Sequence, residues 1–460
     1  MNEVMKDDYR GLMMIKEIAE RIFRAYDIRG IWEKDINEEV GRRIGKAIGT
    51  FIDSGNICVG FDSRFSSPRL SKSIINGLLS CGCKVFEIGF VPNPVCYFYA
   101  WKEKIHGCYI TASHNPMNWN GVKLILSNGT SYIEELGEVK EIFKSGDFKE
   151  GEGSVKETDA LTEYKEFLKK KFKKVRGRVA IEFFGGAATA AKDMFNEMGI
   201  EIIAIHGEPR GDFYGISRPE PKGENLKELK NVIKKSDVLF GVAYDGDADR
   251  SVFVDDNGNE TNGSIMCWTF LSYILKKRKG KVVITADCAS ELEGLVSSFG
   301  SELIWWRVGH GFIERKCVET KALFAGEQSS HFYFNEFYPF SDGLLATAYL
   351  VKILNEYGKK LSEVLEDVKI HPVEKMYVNV GNDEMKGEIV NNLRKKFQNV
   401  IDLMDGFRIK LNETEWVLIR ASQTNPEVNI CIEARDEERM KELIEKFRRM
   451  VEEEKKKLEK

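Results

Sequence analysis

Three stretches of the chain repeat one pattern of apolar and polar positions, in which a short β-branched run meets a glycine or an acidic residue and then a helical stretch. They are Ile57-Cys-Val-Gly-Phe-Asp62, Val179-Ala-Ile-Glu-Phe-Phe-Gly185 and Val282-Val-Ile-Thr-Ala-Asp287. They lie roughly a domain's length apart, whereas a solenoid repeats about every 20 to 50 residues, so the spacing predicts three related α/β layers. Beyond residue 370 the pattern changes. Strands are expected at 376–380, 407–410, 416–420 and 428–433, with a helix after the first. A terminal helix carries Met440, Leu443, Ile444, Phe447, Met450 and Val451 at helical spacing. The expected fold is α/β: three related domains with mixed sheets over 1–150, 151–256 and 257–370, and a smaller α+β domain over 371–460.

The polar breaks between these runs hold the candidate chemistry. In Thr111-Ala-Ser-His-Asn-Pro116 an apolar strand end gives way to a tight turn, because Pro116 biases Asn115 away from helix. This places Ser113 at the end of a strand, where parallel α/β domains keep their ligands. Asp245-Gly-Asp-Ala-Asp-Arg250 lies between two strand-like runs, 238–243 and 251–254. Three carboxylates crowded at alternate positions repel one another unless a hard cation sits among them, and an all-oxygen set suits magnesium. An EF-hand is disfavoured, since the sixth loop position is Arg250, where glycine is needed, and the twelfth is Asp256. In Gly326-Glu-Gln-Ser-Ser-His331, an extended backbone would point Glu327 and Ser329 the same way, a carboxylate and a hydroxyl able to grip neighbouring hydroxyls of a sugar. In Arg420-Ala-Ser-Gln-Thr-Asn-Pro426, the side chains of Arg420, Ser422 and Thr424 and the turn's backbone amides could surround a phosphate.

Composition narrows the class. At 460 residues the chain exceeds one hydrophobic core, and 42% apolar content fills several. A net charge of -4, from 69 basic and 73 acidic residues well mixed, argues against nucleic acid or an anionic membrane as the main partner. The basic stretch 169–178 reads as a solvated helix end. Nine scattered cysteines show no disulfide framework or zinc spacing, which fits a reducing cytoplasm. No apolar run has the length of a signal peptide core or a membrane span. A small-molecule partner is expected, and a homo-oligomer is compatible with the reading.

A nucleophilic hydroxyl, a divalent-cation loop, a polyol clamp and a phosphate clamp, in that order, resemble the α-D-phosphohexomutases of the phosphomannomutase/phosphoglucomutase type. Phe23-Arg-Ala-Tyr-Asp-Ile-Arg-Gly30, Asn120-Gly-Val-Lys123 and Val308-Gly-His310 match further segments of that family, so the resemblance covers nearly the whole chain. It implies four domains around a central cleft and reversible interconversion of hexose 6-phosphate and hexose 1-phosphate. Phosphorylated Ser113 would give its phosphoryl group to the sugar, and the resulting hexose 1,6-bisphosphate, also the activator, would turn over and return the other phosphate. Asp245, Asp247 and Asp249, with the phosphate on Ser113, would hold Mg2+. Arg29 and Arg250 would neutralise phosphoryl oxygens, and Lys123 and His310 are the two candidates for the general acid/base. His114 is the weaker candidate, more suited to orienting the loop. Glu327, Ser329 and His331 would bind the sugar; Arg420, Ser422 and Thr424 would bind the non-reacting phosphate.

The chain departs from the family pattern at Gln423, Asn425 and Asn429, where Gly, Glu and Arg are common, which weakens the phosphate clamp. Ser330 replaces a usual Gly, and Gln328 is met more often in phosphoglucosamine mutases. Phosphoglucosamine mutase is therefore the alternative. A serine-dependent metal phosphatase is more remote, since the flanks of Ser113 do not form a Gly-x-Ser-x-Gly elbow. A sugar-phosphate sensor would lack a nucleophile or a metal ligand, and none is lacking.

Overall fold

Strand-forming runs such as Cys58–Val59 and Ile181 are wholly buried, and the sheets they build fix where the polar loops emerge. The structure, a computed structural model, describes residues 3–398, 400–403, 406–422 and 426–459. The chain divides into two compact units. One comprises Met1–Thr261, His331–Tyr333 and Phe337–Glu363, and the other Asn262–Ser330, Phe334–Glu336 and Val364–Lys460.

The first unit holds two sheets. The larger has six strands, in the order Asp27–Ile31, Trp119–Ile125, His106–Ile110, Asn56–Phe61, Lys84–Phe90 and Ser154–Glu157. The last four are mutually parallel, and Trp119–Ile125 runs antiparallel to both of its neighbours, so the sheet is mixed. The helices Glu38–Phe51 and Ser67–Leu79 cover one face at very close approach. A Cβ on Gly77 would fall 2.2 Å from the Arg42 carbonyl, so only glycine permits that crossing. The smaller sheet runs Ser251–Asp255, Phe240–Tyr244, Gly177–Glu182, Ile200–Ile205. Phe240–Tyr244 and Ser251–Asp255 pair antiparallel, and residues 245–250 form the connection between them.

In the second unit, Glu302–Trp306, Lys281–Thr285 and Phe324–Gly326 form a parallel sheet. A five-stranded antiparallel sheet follows, in the order Val373–Asn379, Glu427–Glu433, Trp416–Ala421, Gly406–Lys410, Val400–Leu403. Helices Asp383–Arg394 and Glu437–Leu458 cover one face of it, with Met440, Leu443, Phe447 and Val451 in the core. The architecture is thus three α/β layers and an α+β segment, as the apolar pattern predicts.

Not every element was anticipated. The helix Glu3–Ile22 precedes the first strand, and Val400–Leu403 adds a fifth strand to the last sheet. The latter lies at the sheet edge and is only half-buried, so its sequence lacks the apolar alternation of a covered strand. No helix among the described residues is long and apolar enough to cross a membrane.

Candidate active site

Ser113 follows the strand His106–Ile110 by three residues and takes φ +50°, in the left-handed region. Its backbone N–H donates to Thr111 Oγ1 at 2.8 Å, and its hydroxyl donates to Asp245 Oδ2 at 2.7 Å. The serine and aspartate loops touch because residue 246 is glycine: a Cβ there would sit 2.5 Å from the Ser113 carbonyl.

Asp245, Asp247 and Asp249 are all buried and each offers an oxygen within 4.8 Å of the others'. Burial first, and then the neighbouring carboxylates Asp247 and Asp249, hold Asp245 far above the usual carboxylate range. Such a cluster calls for a cation. Lys123 supplies one, its Nζ donating to Asp247 Oδ2 at 2.7 Å and Asp249 Oδ2 at 2.6 Å. Burial pulls the Lys123 pKa down, but the two carboxylates outweigh it and raise the value, so the side chain is an ammonium here. Asp247 Oδ1 is buried with no hydrogen-bond partner among the described residues. An orphaned carboxylate oxygen inside an all-oxygen donor set beside a nucleophilic hydroxyl fits a hard divalent cation.

Around this centre, Arg250 donates its backbone N–H to Asp245 Oδ1 at 3.2 Å, and its Nε lies 3.3 Å from His331 Nε2. His331 Nε2 is also 3.2 Å from Asp249 Oδ1. His331, expected with the sugar-binding group, therefore stands against the aspartate loop. Arg29 pairs with Asp27 at 2.7 Å and reaches the Ala112 carbonyl at 3.4 Å. His114 Nδ1 is 3.3 Å from Ser113 Oγ. Burial, reinforced by the Arg250 and Arg29 cations, holds its imidazole well below the usual range and hence neutral.

The other expected residues lie in the second unit. Glu327 is buried and accepts from Ser329 Oγ at 3.5 Å. The chain does not stay extended to achieve this: it turns, with Ser330 at φ +67° and its N–H on the Glu327 carbonyl at 3.0 Å. Gln328 is committed to structure, its Oε1 accepting from Ser264 N at 3.1 Å and Ser264 Oγ at 2.5 Å at the start of the helix Gly263–Lys277. His310 opens the helix His310–Thr320 with Nδ1 3.3 Å from Glu314 Oε1. Arg420 sits on Trp416–Ala421 opposite Asn429. It interacts electrostatically with the buried Asp287, which Lys375 contacts at 2.6 Å. Burial would raise the Asp287 carboxyl, but Lys375 foremost, then a hydrogen bond from Thr285 and the charge of Arg420, hold it below the usual range. Ser422 is buried, and its N–H donates to the Glu427 carbonyl at 2.9 Å. Thr424 lies outside the described residues.

Sequence reasoning overlooked three polar groups. Asn93 donates to Asp249 Oδ2 at 3.1 Å, Lys375 partners Asp287, and a buried Asp62–Arg64 pair adjoins the serine loop. The signal for the last was an Asp-x-Arg directly after an apolar strand, where an unpaired charge could not be buried.

Three family models match the chain, described as phosphoglucomutase/phosphomannomutase alpha/beta/alpha domains I, II and III, over residues 20–150, 158–258 and 262–370. A phosphomannomutase/phosphoglucomutase of Pseudomonas aeruginosa is 32% identical over 450 residues, covering 94% of this chain and 95% of that protein. A probable phosphoglucosamine mutase of Thermococcus gammatolerans is also 32% identical, over 451 residues, covering 94% and 98%. Among solved structures, a phosphoglucomutase/phosphomannomutase family protein of Burkholderia thailandensis superposes with a TM-score of 0.86 at 28% identity, covering 95% of this chain and 98% of that one.

Proposed function

Since the chain belongs to the phosphoglucomutase/phosphomannomutase family of α-D-phosphohexomutases, we propose that it interconverts hexose 6-phosphate and hexose 1-phosphate through a phosphoserine at Ser113 and a hexose 1,6-bisphosphate intermediate. The observation that carries this reading is the hydroxyl of Ser113 set 2.7 Å from Asp245 in a buried carboxylate cluster. In the forward half-reaction the Ser113 Oγ–phosphorus bond breaks as a sugar hydroxyl oxygen bonds to phosphorus. The sugar's proton leaves to a base, and Ser113 Oγ carries away the electron pair. In the return half-reaction Ser113 Oγ attacks the other phosphate and the sugar oxygen is reprotonated.

Asp245, Asp247 and Asp249 would hold Mg2+ beside the phosphoserine, and the ion supplies charge neutralisation to the loose phosphoryl-transfer state. Arg29 and Arg250 bring cationic side chains toward the same loop. Lys123, an ammonium between two carboxylates when no metal is bound there, and His310 are the two candidates for the base. Glu327 and Ser329 would grip the sugar hydroxyls, and Arg420, Ser422 and Thr424 the non-reacting phosphate. Four domains with boundaries near 150, 256 and 370 suit this division of labour, and the matched family segments end close to those points. A cytoplasmic setting is supported by nine free, buried cysteines.

The hexosamine alternative rested on Gln328, whose carbonyl is spent on Ser264. A site reading only two hydroxyls discriminates weakly at carbon 2. We therefore expect mannose 1-phosphate and glucose 1-phosphate both to be accepted. Specificity constants for these and glucosamine 1-phosphate, under common magnesium and bisphosphate, test the reading. A preference for glucosamine phosphate beyond about a hundredfold, more than a site that pairs no specific polar group at carbon 2 achieves, overturns it. Stoichiometric phosphate release would instead indicate the phosphatase.

A further inference from the structure

The conformation of Ser113 needs an agent to hold it. At φ +50° an L-residue persists only where its surroundings over-determine it. Arg64, fully buried with its partner Asp62, surrounds the loop from beneath. Its guanidinium donates through Nη2 to the carbonyls of Ser113 at 2.7 Å and Asn115 at 2.8 Å. Through Nη1 it donates to Pro116 at 2.6 Å and Trp119 at 3.1 Å, and through Nε to Asp62 Oδ2 at 3.0 Å. A guanidinium has five N–H donors in a fixed planar fork, and here each has its own acceptor.

Asp62 closes the ring. Its Oδ2 also accepts from Thr111 Oγ1 at 2.8 Å, and its Oδ1 accepts from Arg64 N at 3.0 Å and Ser67 Oγ at 2.5 Å. Thr111 Oγ1 in turn accepts the N–H of Ser113 at 2.8 Å. The peptide groups on both sides of Ser113 are thereby tied to one buried network, the carbonyl by Arg64 and the N–H by Thr111. A lysine at position 64 could not reproduce this, since an ammonium has three donors and no planar fork.

We propose that Arg64, acting with Asp62 and Thr111, is the positioning residue that sets the Ser113 oxygen for in-line phosphoryl transfer. The proposal rests on Ser113 being the phosphoryl carrier. Arg64 spends all its donors on backbone carbonyls and Asp62, so its contribution is geometric, and a displacement of about 1 Å in such a group costs roughly a hundredfold in rate.

The test uses three variants of the full chain, assayed for turnover with saturating magnesium and bisphosphate. Arg64→Gly is expected to lose about a hundredfold or more in kcat, with KM for the sugar phosphate within about twofold. Low-millimolar guanidinium should return at least tenfold of that loss by refilling the vacated site. Thr111→Val, which keeps the shape and deletes both hydrogen bonds of the hydroxyl, should lose about tenfold in kcat at unchanged KM. Ser113→Ala separates the two ideas. If Ser113→Ala retains turnover, the carrier assignment fails and the positioning role fails with it. If Ser113→Ala is inactive while Thr111→Val keeps wild-type kcat and guanidinium restores nothing to Arg64→Gly, the positioning role alone is overturned. Should Arg64→Gly not fold, the kcat and KM of Thr111→Val decide the matter.

Discussion

Replacing Lys123 with methionine removes the only ammonium bonded to the aspartate cluster among the described contacts, and its consequence can be worked from the structure. Lys123 Nζ lies 2.7 and 2.6 Å from two carboxylates, all three side chains being at most 4% exposed. Each contact is worth about 6 kcal/mol of Coulomb energy at an effective dielectric of about 20, against which the desolvation of three ions must be set. Breaking a buried pair by removing one partner costs about 3 to 5 kcal/mol net, because the remaining charge stays buried. Lys123→Met should therefore lose about 3 to 5 kcal/mol of unfolding free energy in EDTA. Magnesium should recover much of it, since a ligand at a hundred times its Kd contributes about 2.7 kcal/mol. The variant should also bind magnesium more tightly than wild type, because no ammonium competes for Asp247 and Asp249. Urea unfolding with and without magnesium, paired with magnesium titration calorimetry, measures both quantities. Adding Asp247→Asn should restore part of the stability lost in EDTA. A loss below about 1 kcal/mol in EDTA, within the range of an exposed ion pair, together with unchanged magnesium affinity, would refute the view that lysine and metal share one set of carboxylates.

Three further outcomes are expected. Ser113→Ala should fold normally and lose several orders of magnitude in turnover, with intact mass showing no phosphate adduct; an adduct on that variant would place the carrier elsewhere. Arg420→Ala should lose roughly ten- to a hundredfold in kcat/KM, equivalent to about 1.5 to 3 kcal/mol for a charge-assisted contact, and unchanged kinetics would reduce that loop to a turn. Glu433 is pushed up from 4.5 to about 8, first by burial and then by Glu291, against the opposing hydrogen bond from Ser290. A carboxyl raised in the folded state contributes stability that is complete below its unfolded value and is lost as pH rises through about 8. The unfolding midpoint should thus fall between pH 5 and 9, and Glu433→Gln should flatten that slope; identical slopes would contradict the assignment.

The fold was legible where an element is covered on a whole face. The runs ending at Asp62, near Gly185 and at Asp287 became Asn56–Phe61, Gly177–Glu182 and Lys281–Thr285, because β-branched residues between glycine and acidic breaks have few alternatives to a buried strand. Val400–Leu403 escaped because an edge strand needs only one partner and little apolar surface. In the candidate site, residues contiguous in sequence were legible and partners distant in sequence were not. Arg64 meets loop carbonyls roughly fifty positions away, and Lys375 meets Asp287 eighty-eight positions away. Nothing local in either segment specifies such a pairing. The pairing of Gln328 was hidden for a similar reason, since Ser264, its partner, lies sixty-four positions earlier.

Backbone conformation was the least legible feature, and it bears most directly on the chemistry. Ser113, Ala248 and Ser330 stand at φ +50°, +68° and +67°, one in each of three loops singled out by their side chains. None is glycine or asparagine, the residues that advertise such a conformation in a sequence. Each costs about 1 to 3 kcal/mol unless its surroundings enforce it. The enforcing contacts are specific: Arg64 and Thr111 at Ser113, the Asp245 carbonyl on Ala248 N at 3.2 Å, and the Glu327 carbonyl on Ser330 N at 3.0 Å. In each loop the turn brings a polar side chain to its partner: Ser113 to Asp245, the aspartates to one another, and Ser329 to Glu327. The motifs therefore name which groups take part, while the left-handed residues decide whether those groups meet. Restoring an ordinary backbone at Ser113, by releasing Arg64, should cost turnover even though every side chain of the motif is still present.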